Sequence, residues 1–173
     1  MSWSEIKHAL NSTLGTSEFK PLDKLIRFDG KIFATGSDVF ATPFTGSASS
    51  TVPTDTVTGP EIVLCSIRPQ IGGSFTARAN VGINNSRVSN TKMYCSILAY
   101  INGVYYGKST LTQASTSVES GTISLVVPFN AGDTISFKLQ GTLSVSQGGG
   151  TQTATCSQLS ILAHVVDNLI DVL

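Results

Sequence analysis

The stretch that most constrains the fold runs from Gly121 to Leu143, GTISLVVPFNAGDTISFKLQGTL. Ile123, Leu125, Val127 and Phe129 fall on one side of an alternating pattern. Thr122, Ser124 and Pro128 fall on the other, with Val126 as the exception. After Asn130-Ala131-Gly132-Asp133 the alternation resumes. Ile135, Phe137 and Leu139 point one way, and Thr134, Ser136, Lys138 and Gln140 the other. A side-chain period of two describes a strand with one dry and one wet face. Gly132 can take a positive φ in the intervening turn at no steric cost. The sequence therefore predicts two strands folded back on each other as a hairpin, in a β-sandwich rather than an α/β protein.

The same signal recurs through the second half of the chain. Glu61 to Arg68 carries Ile62, Val63, Leu64 and Ile67, and is stopped by Pro69 and Gly72-Gly73. Ser74 to Ile83 alternates most cleanly, with Phe75, Ala77, Ala79, Val81 and Ile83 inward. Lys92 to Ile101 puts Met93, Cys95, Ile97, Ala99 and Ile101 on one face. Asn102-Gly103 then predicts a two-residue type I′ turn into Val104-Tyr105. Thr110 to Ser120 reads as polar connection. Gln158 to Val166 reads as a last strand, with Leu159, Ile161, Ala163 and Val165 on one side. About eight strands with no crossover helices between them predict a mainly β chain, an antiparallel β-sandwich or jelly roll.

The front of the chain reads differently. Ser2 and Glu5 have capping-box spacing, and Trp3, Ile6, Leu10, Thr13 and Leu14 fall at helical spacing as one apolar stripe, so Ser2 to Leu14 is expected as a short amphipathic helix. Pro21 to Ile26 is expected as a second helical turn, and Lys31 to Thr35 as a short strand. Neither helix can bury its own core. They dock on this sandwich, on a sister chain or on another protein. The segment 1–44 is thus read as a helical anchor or oligomerisation segment, 45–59 as a Ser/Thr-rich linker, and 60–173 as the jelly-roll domain.

Charged residues make up 13% of the 173 residues, and the net charge is zero. Ordinary soluble domains carry roughly a quarter. With no basic stripe, nucleic acid is not an expected partner. So poorly charged a surface favours association with other subunits. No run of apolar residues is long enough to span a membrane, and MSWSEIKHAL does not read as a secretory leader. Cys65, Cys95 and Cys156 each fall in an expected strand and read as buried thiols packed as small hydrophobes. Their spacing supports no particular disulfide. Neither His8 nor His164 has metal-ligand spacing to a Cys, Asp or Glu, so no metal and no cofactor is expected. No nucleophile elbow or marked carboxylate pair is present, and Gly148 to Gly150 does not lead into a helix, so the chain is read as non-enzymatic. The candidate binding residues are Tyr100, Asn102, Tyr105 and Tyr106 at the hairpin, near Tyr94. Tyrosines there serve either cross-strand packing or contact with a glycan or protein. The candidate anchor residues are Trp3, Ile6, Leu10 and Leu14.

The run Val127 to Phe137, V-P-F-N-A-G-D-T-I-S-F, resembles the penultimate hairpin of C1q/TNF-like jelly rolls, which stands just before the closing strand, here Gln158 to Val166. That resemblance covers about Ile62 to Val166. The N-terminal runs Trp3-Ser4-Glu5-Ile6-Lys7, Leu14-Gly15-Thr16 and Phe19-Lys20-Pro21-Leu22-Asp23 look like the start of tail-associated structural proteins of phages and prophages of Firmicutes. Together these resemblances imply a homotrimer and a virion component; with no secretory leader read, it is expected to be made in the host cytoplasm. The implied role is a tail fibre tip or receptor-binding head, attached to other tail proteins and facing a host surface glycan or protein. The alternative is a free carbohydrate-binding or adhesin jelly roll.

Overall fold

A computed structural model describes residues 25–28, 31–34, 39–69, 72–85, 91–112, 118–145 and 152–164. Among them are ten strands: β1 (Leu25–Phe28), β2 (Lys31–Ala34), β3 (Val39–Val52), β4 (Ile62–Ile67), β5 (Gly73–Asn85), β6 (Met93–Ile101), β7 (Val104–Thr112), β8 (Glu119–Phe129), β9 (Ile135–Leu143) and β10 (Gln152–His164). β1 and β2 pair antiparallel, Leu25 opposite Ala34 and Phe28 opposite Lys31. Leu25 and Ile26, expected in a helix, are strand. Ile26 and Phe28 prefer a pleated surface and find Phe33 and Lys31 opposite them, which outweighs the helix-start signal of Pro21. The expected helix Ser2 to Leu14 lies outside the described residues.

The other eight strands form two antiparallel sheets, ordered β3-β10-β5-β8 and β4-β9-β6-β7. The first of the eight lies beside the last and the third beside the sixth. In the other sheet the second lies beside the seventh and the fourth beside the fifth. Of these eight, only β6 and β7 are neighbours both in sequence and in a sheet. Every other connection crosses between the sheets, and that double Greek-key nesting is a jelly roll.

The hairpin expected over Gly121 to Leu143 is therefore corrected. β8 pairs with β5, and β9 pairs with β4 and β6, so the turn at Asn130–Asp133 is an arch between sheets. Alternation assigns a dry face to each strand but is silent about its neighbour. Two dry faces satisfy it equally well side by side or facing each other about 10 Å apart.

The inward residues are those the alternation picked out. Phe75, Ala77, Ala79, Val81 and Ile83 of β5 are at most 4% exposed, and Ile135, Phe137 and Leu139 of β9 are fully buried. Val126 is 58% exposed, as its outward phase requires. Phe75 stacks on Phe129 with centroids 5.1 Å apart, and Phe137 approaches Phe75 from the opposite sheet at 5.9 Å. β10 begins at Gln152, earlier than expected. A bulge between Cys156 and Gln158 shifts its phase, so Ala154 and Cys156 face inward before it and Leu159 and Ile161 after it. A single period cannot describe both halves.

Residues 45–52, expected as linker, are the second half of β3 and pair with β10. Their buried positions are Ala48, Ser50 and Val52, alternating with exposed Ser47, Ser49 and Thr51. Two of the three inward residues are too small or too polar to show as a hydrophobic period. Ser50 is fully buried and ties the sheets together: its hydroxyl donates to the Pro60 carbonyl at 2.7 Å and accepts from the Gly141 amide of β9 at 3.0 Å. The Gly59 amide returns to the Gly141 carbonyl at 2.9 Å. Residues 110–112, expected in a polar connection, belong to β7 and pair with β6.

Gln152, fully buried at the head of β10, is the weak point of this core. Neither amide atom of its side chain has a hydrogen-bond partner among the described residues. An unmatched buried amide costs about 1–3 kcal/mol. Gln152→Met keeps the length and removes the polar atoms, so its urea midpoint is expected to rise by the equivalent of about 1 kcal/mol. A lower midpoint would show that the amide is satisfied after all.

Candidate functional site

The sequence placed its binding candidates at the Asn102-Gly103 hairpin, and the backbone there is the predicted one. Asn102 and Gly103 have φ of 52° and 81°, and Ile101 faces Val104 across the two-residue turn. Positive φ at both central positions is the signature of the type I′ turn. Behind the turn the register slips: Tyr100 faces Tyr105, but Ala99 faces Gly107. Tyr106 is thus the extra residue of a bulge, and a bulge re-aims the side chains around it. Gly107 faces into the sandwich, since a Cβ there would meet Leu125 at 3.9 Å. Tyr105 and Tyr106, 51% and 45% exposed, both lie on the solvent side of the sheet.

Tyr100 is held from several directions. Its hydroxyl donates to Glu61 Oε1 at 2.6 Å, and the other Glu61 oxygen accepts from Lys138 Nζ at 2.7 Å. The same ammonium sits 4.1 Å from the centroid of the Tyr100 ring, a cation–π contact, and Tyr105 meets that ring edge-on at 5.7 Å. Leu98, one outward position further along β6, is only 4% exposed although it faces away from the core. It lies in register between Lys108 of β7 and Lys138 of β9, and alkyl stems of this length cover apolar surface. Glu61, Tyr100, Lys138 and Tyr105 come from β6, β7, β9 and the approach to β4. No local motif could have announced Glu61 and Lys138 as part of the patch.

The Lys138 hydrogen bond, and after it that of Tyr100, hold the Glu61 carboxyl below the usual range. The Glu61 hydrogen bond pushes the Tyr100 phenol up to about 12. A phenol with a raised folded value stabilises the fold below its ordinary pKa near 10, and the effect disappears as pH rises through 12. Titration of the ring carbon bearing the hydroxyl by NMR should place Tyr100 near pH 12. Glu61→Gln should bring it down towards about 10, because the charge that disfavours the phenolate is gone. An unchanged value in Glu61→Gln would show that the contact does not persist in solution.

Asn102 faces a different way. Its amide donates to Asp133 Oδ1 at 2.8 Å, its carbonyl oxygen accepts from the Thr134 amide at 2.9 Å, and its own backbone amide donates to the Thr134 carbonyl at 2.8 Å. The residue clasps the β6–β7 turn onto the β8–β9 arch. The structure thus brings Tyr100, Tyr105 and Tyr106 onto one face and leaves Asn102 in the framework beside it. Tyr94 is on the same face of β6 but six residues along the strand. Trp3, Ile6, Leu10 and Leu14 lie outside the described residues.

Cys95 and Cys156 stand as thiols inside the sandwich. Burial pushes Cys95 up to about 12 and Cys156 up as well, and Cys95 donates weakly to the Thr155 carbonyl at 3.7 Å. A thiol so reluctant to ionise is a poor nucleophile.

No family model matches the chain, and no curated protein matches it. Solved structures do resemble it in outline. The Eiger TNF of S. frugiperda is 8% identical with a TM-score of 0.41, over 75% of this chain and 94% of that one. A chain of infectious bursal disease virus, Gx strain, is 16% identical with a TM-score of 0.47, over 80% of this chain and 36% of that one. A family 35 carbohydrate binding module from Clostridium thermocellum is 14% identical with a TM-score of 0.35, over 71% of this chain and 97% of that one. At these identities and scores the likeness extends to the sandwich shape and bears no functional weight.

Proposed function

We propose that this chain is a non-enzymatic virion structural protein, a homotrimeric tail fibre tip or receptor-binding head attached to the particle through its N-terminal segment, ahead of β3. The observation that carries the reading is the chemistry of the outer face of the β3-β10-β5-β8 sheet. Among its described outward side chains Arg78 is the one charged residue. The rest are Thr76, Asn80, Thr122, Ser124, Val126, Thr155, Gln158 and their like. Asn80 bridges three strands, accepting from Thr122 Oγ1 at 3.0 Å and donating to Gln158 Oε1 at 2.9 Å, so much of its polar capacity is met within the face. Covering such a surface with a second copy desolvates almost no charge. A head-to-tail contact of this kind closes into a ring when the rotation allows. The tyrosine face belongs to the opposite sheet and would stay open to a receptor.

Light scattering on the purified full chain is expected to give three times the chain mass. Val126→Glu and Thr122→Lys lie on exposed positions and should return a folded monomer, because they put charge into the contact. A monodisperse wild-type monomer at micromolar concentration sinks the trimer. Immunogold labelling of purified particles away from the tail tip sinks the placement.

A further inference from the structure

The Asn102–Gly103 end of the sandwich holds an open cavity of about 490 Å³, lined by Ser74, Ile101, Pro128, Phe129, Asn130 and Asp133 among others. We propose that this cavity is a binding site for one ring of a neutral sugar, its apolar side against Ile101 and Pro128 and its hydroxyls on Ser74, Asn130 and Asp133. The site goes beyond the virion reading and stands without it.

Its walls are fixed before any ligand arrives. Asp133 Oδ2 accepts from the Asn130 amide at 2.8 Å and Oδ1 from the Asn102 carboxamide at 2.8 Å. The Gly132 amide donates to the Pro69 carbonyl at 2.8 Å, Arg68 Nε donates to the Gly132 carbonyl at 3.0 Å, and Gly132 takes a φ of +83° that favours glycine. Little ordering remains to be done on binding. Each Asp133 oxygen retains acceptor capacity, and the Asn130 and Asn102 hydrogen bonds hold the carboxyl below its usual range, so it is ionised at neutral pH.

The polar lining matches hydroxyl chemistry. A sugar hydroxyl both donates and accepts. Asp133 accepts, the Asn130 carboxamide does both, and so does the Ser74 hydroxyl. A few convergent polar groups over an apolar wall are the ordinary make-up of a small-ligand pocket. An anionic sugar or a phosphate would meet the Asp133 charge with no cation among these lining residues. An ammonium would use Asp133 and leave the Ser74 hydroxyl donor unmatched.

The test is a titration of the ¹⁵N-labelled full chain with the methyl glycosides of glucose, galactose and mannose, alongside sialic acid and n-butylamine. At least one neutral glycoside is expected to shift the Ser74, Ile101 and Asn130 amides saturably, and Asp133→Asn to weaken that binding by about tenfold or more. Because Asp133 also holds the arch, Ser74→Leu provides the second variant. It fills the cavity from β5, leaves the Asn102–Thr134 hydrogen bonds intact, and should abolish the shifts. No saturable shift with any neutral glycoside up to about 50 mM, saturation by sialic acid or n-butylamine alone, or undiminished binding in Ser74→Leu would each overturn the site.

Discussion

Phe75→Ala is expected to destabilise the fold by about 4 kcal/mol and to lower the thermal midpoint by about 12 °C. Phe75 is fully buried on β5 and touches aromatic rings of both sheets, Phe129 beside it and Phe137 across the gap. Truncation removes the transfer free energy of the ring and leaves a hole. That hole cannot collapse easily, because its walls belong to two hydrogen-bonded sheets. The effect should reach the cavity at that end, since Phe129 is both a wall of it and the stacking partner of Phe75. Urea and thermal unfolding followed by circular dichroism measure the loss. A change below about 1 kcal/mol would mean that the aromatic cluster is not the centre of the core.

The second large effect is expected from adding volume. A Cβ on Gly141 would lie 3.0 Å from the Ser50 carbonyl oxygen, 3.1 Å from Met93 Cε and 3.2 Å from Ala154 Cβ. Met93 can swing its terminal methyl aside. The Ser50 carbonyl cannot move so freely, because Ser50 is laddered opposite Ala154 in β3 and β10. Gly141→Ala should cost about 1–2 kcal/mol and Gly141→Val about 3, as the sheets are wedged apart where Ser50 bridges them. Adding Met93→Ala to Gly141→Val should not restore stability, since it removes the yielding neighbour and keeps the rigid one. A Gly141→Val midpoint within about 0.5 kcal/mol of the parent would show that the sheets are not pinched at this point.

Both expectations rest on positions that the one-dimensional pattern marks unequally. The inward placing of Phe75 is legible from Ser74 to Ile83 alone, because one residue in two must face the core. Gly141 stands inside a strand, a known sign of close backbone approach, but nothing in the chain says which backbone approaches. The candidate site divides in the same way. Asn102-Gly103 announces its turn through the positive φ that both residues tolerate. The aim of Tyr105 and Tyr106 depends on a bulge that carries no composition signal. Glu61 and Lys138, 77 positions apart, meet only because β4 and β9 are neighbours.

From the sequence by itself came the class of the fold, the dry faces of β5, β6, β8, β9 and the second half of β10, and the type I′ turn, because each depends on residues within a few positions of one another. The tertiary structure alone decided the arch at Asn130–Asp133 in place of a hairpin, the recruitment of 45–52 into β3, and the joining of Asn102 to Asp133. Those depend on which strand lies beside which. Alternation leaves that choice open, since any pairing that buries the same faces gains the same hydrophobic free energy, and the selection falls to the connections and to small close contacts such as Ser50 on Gly141.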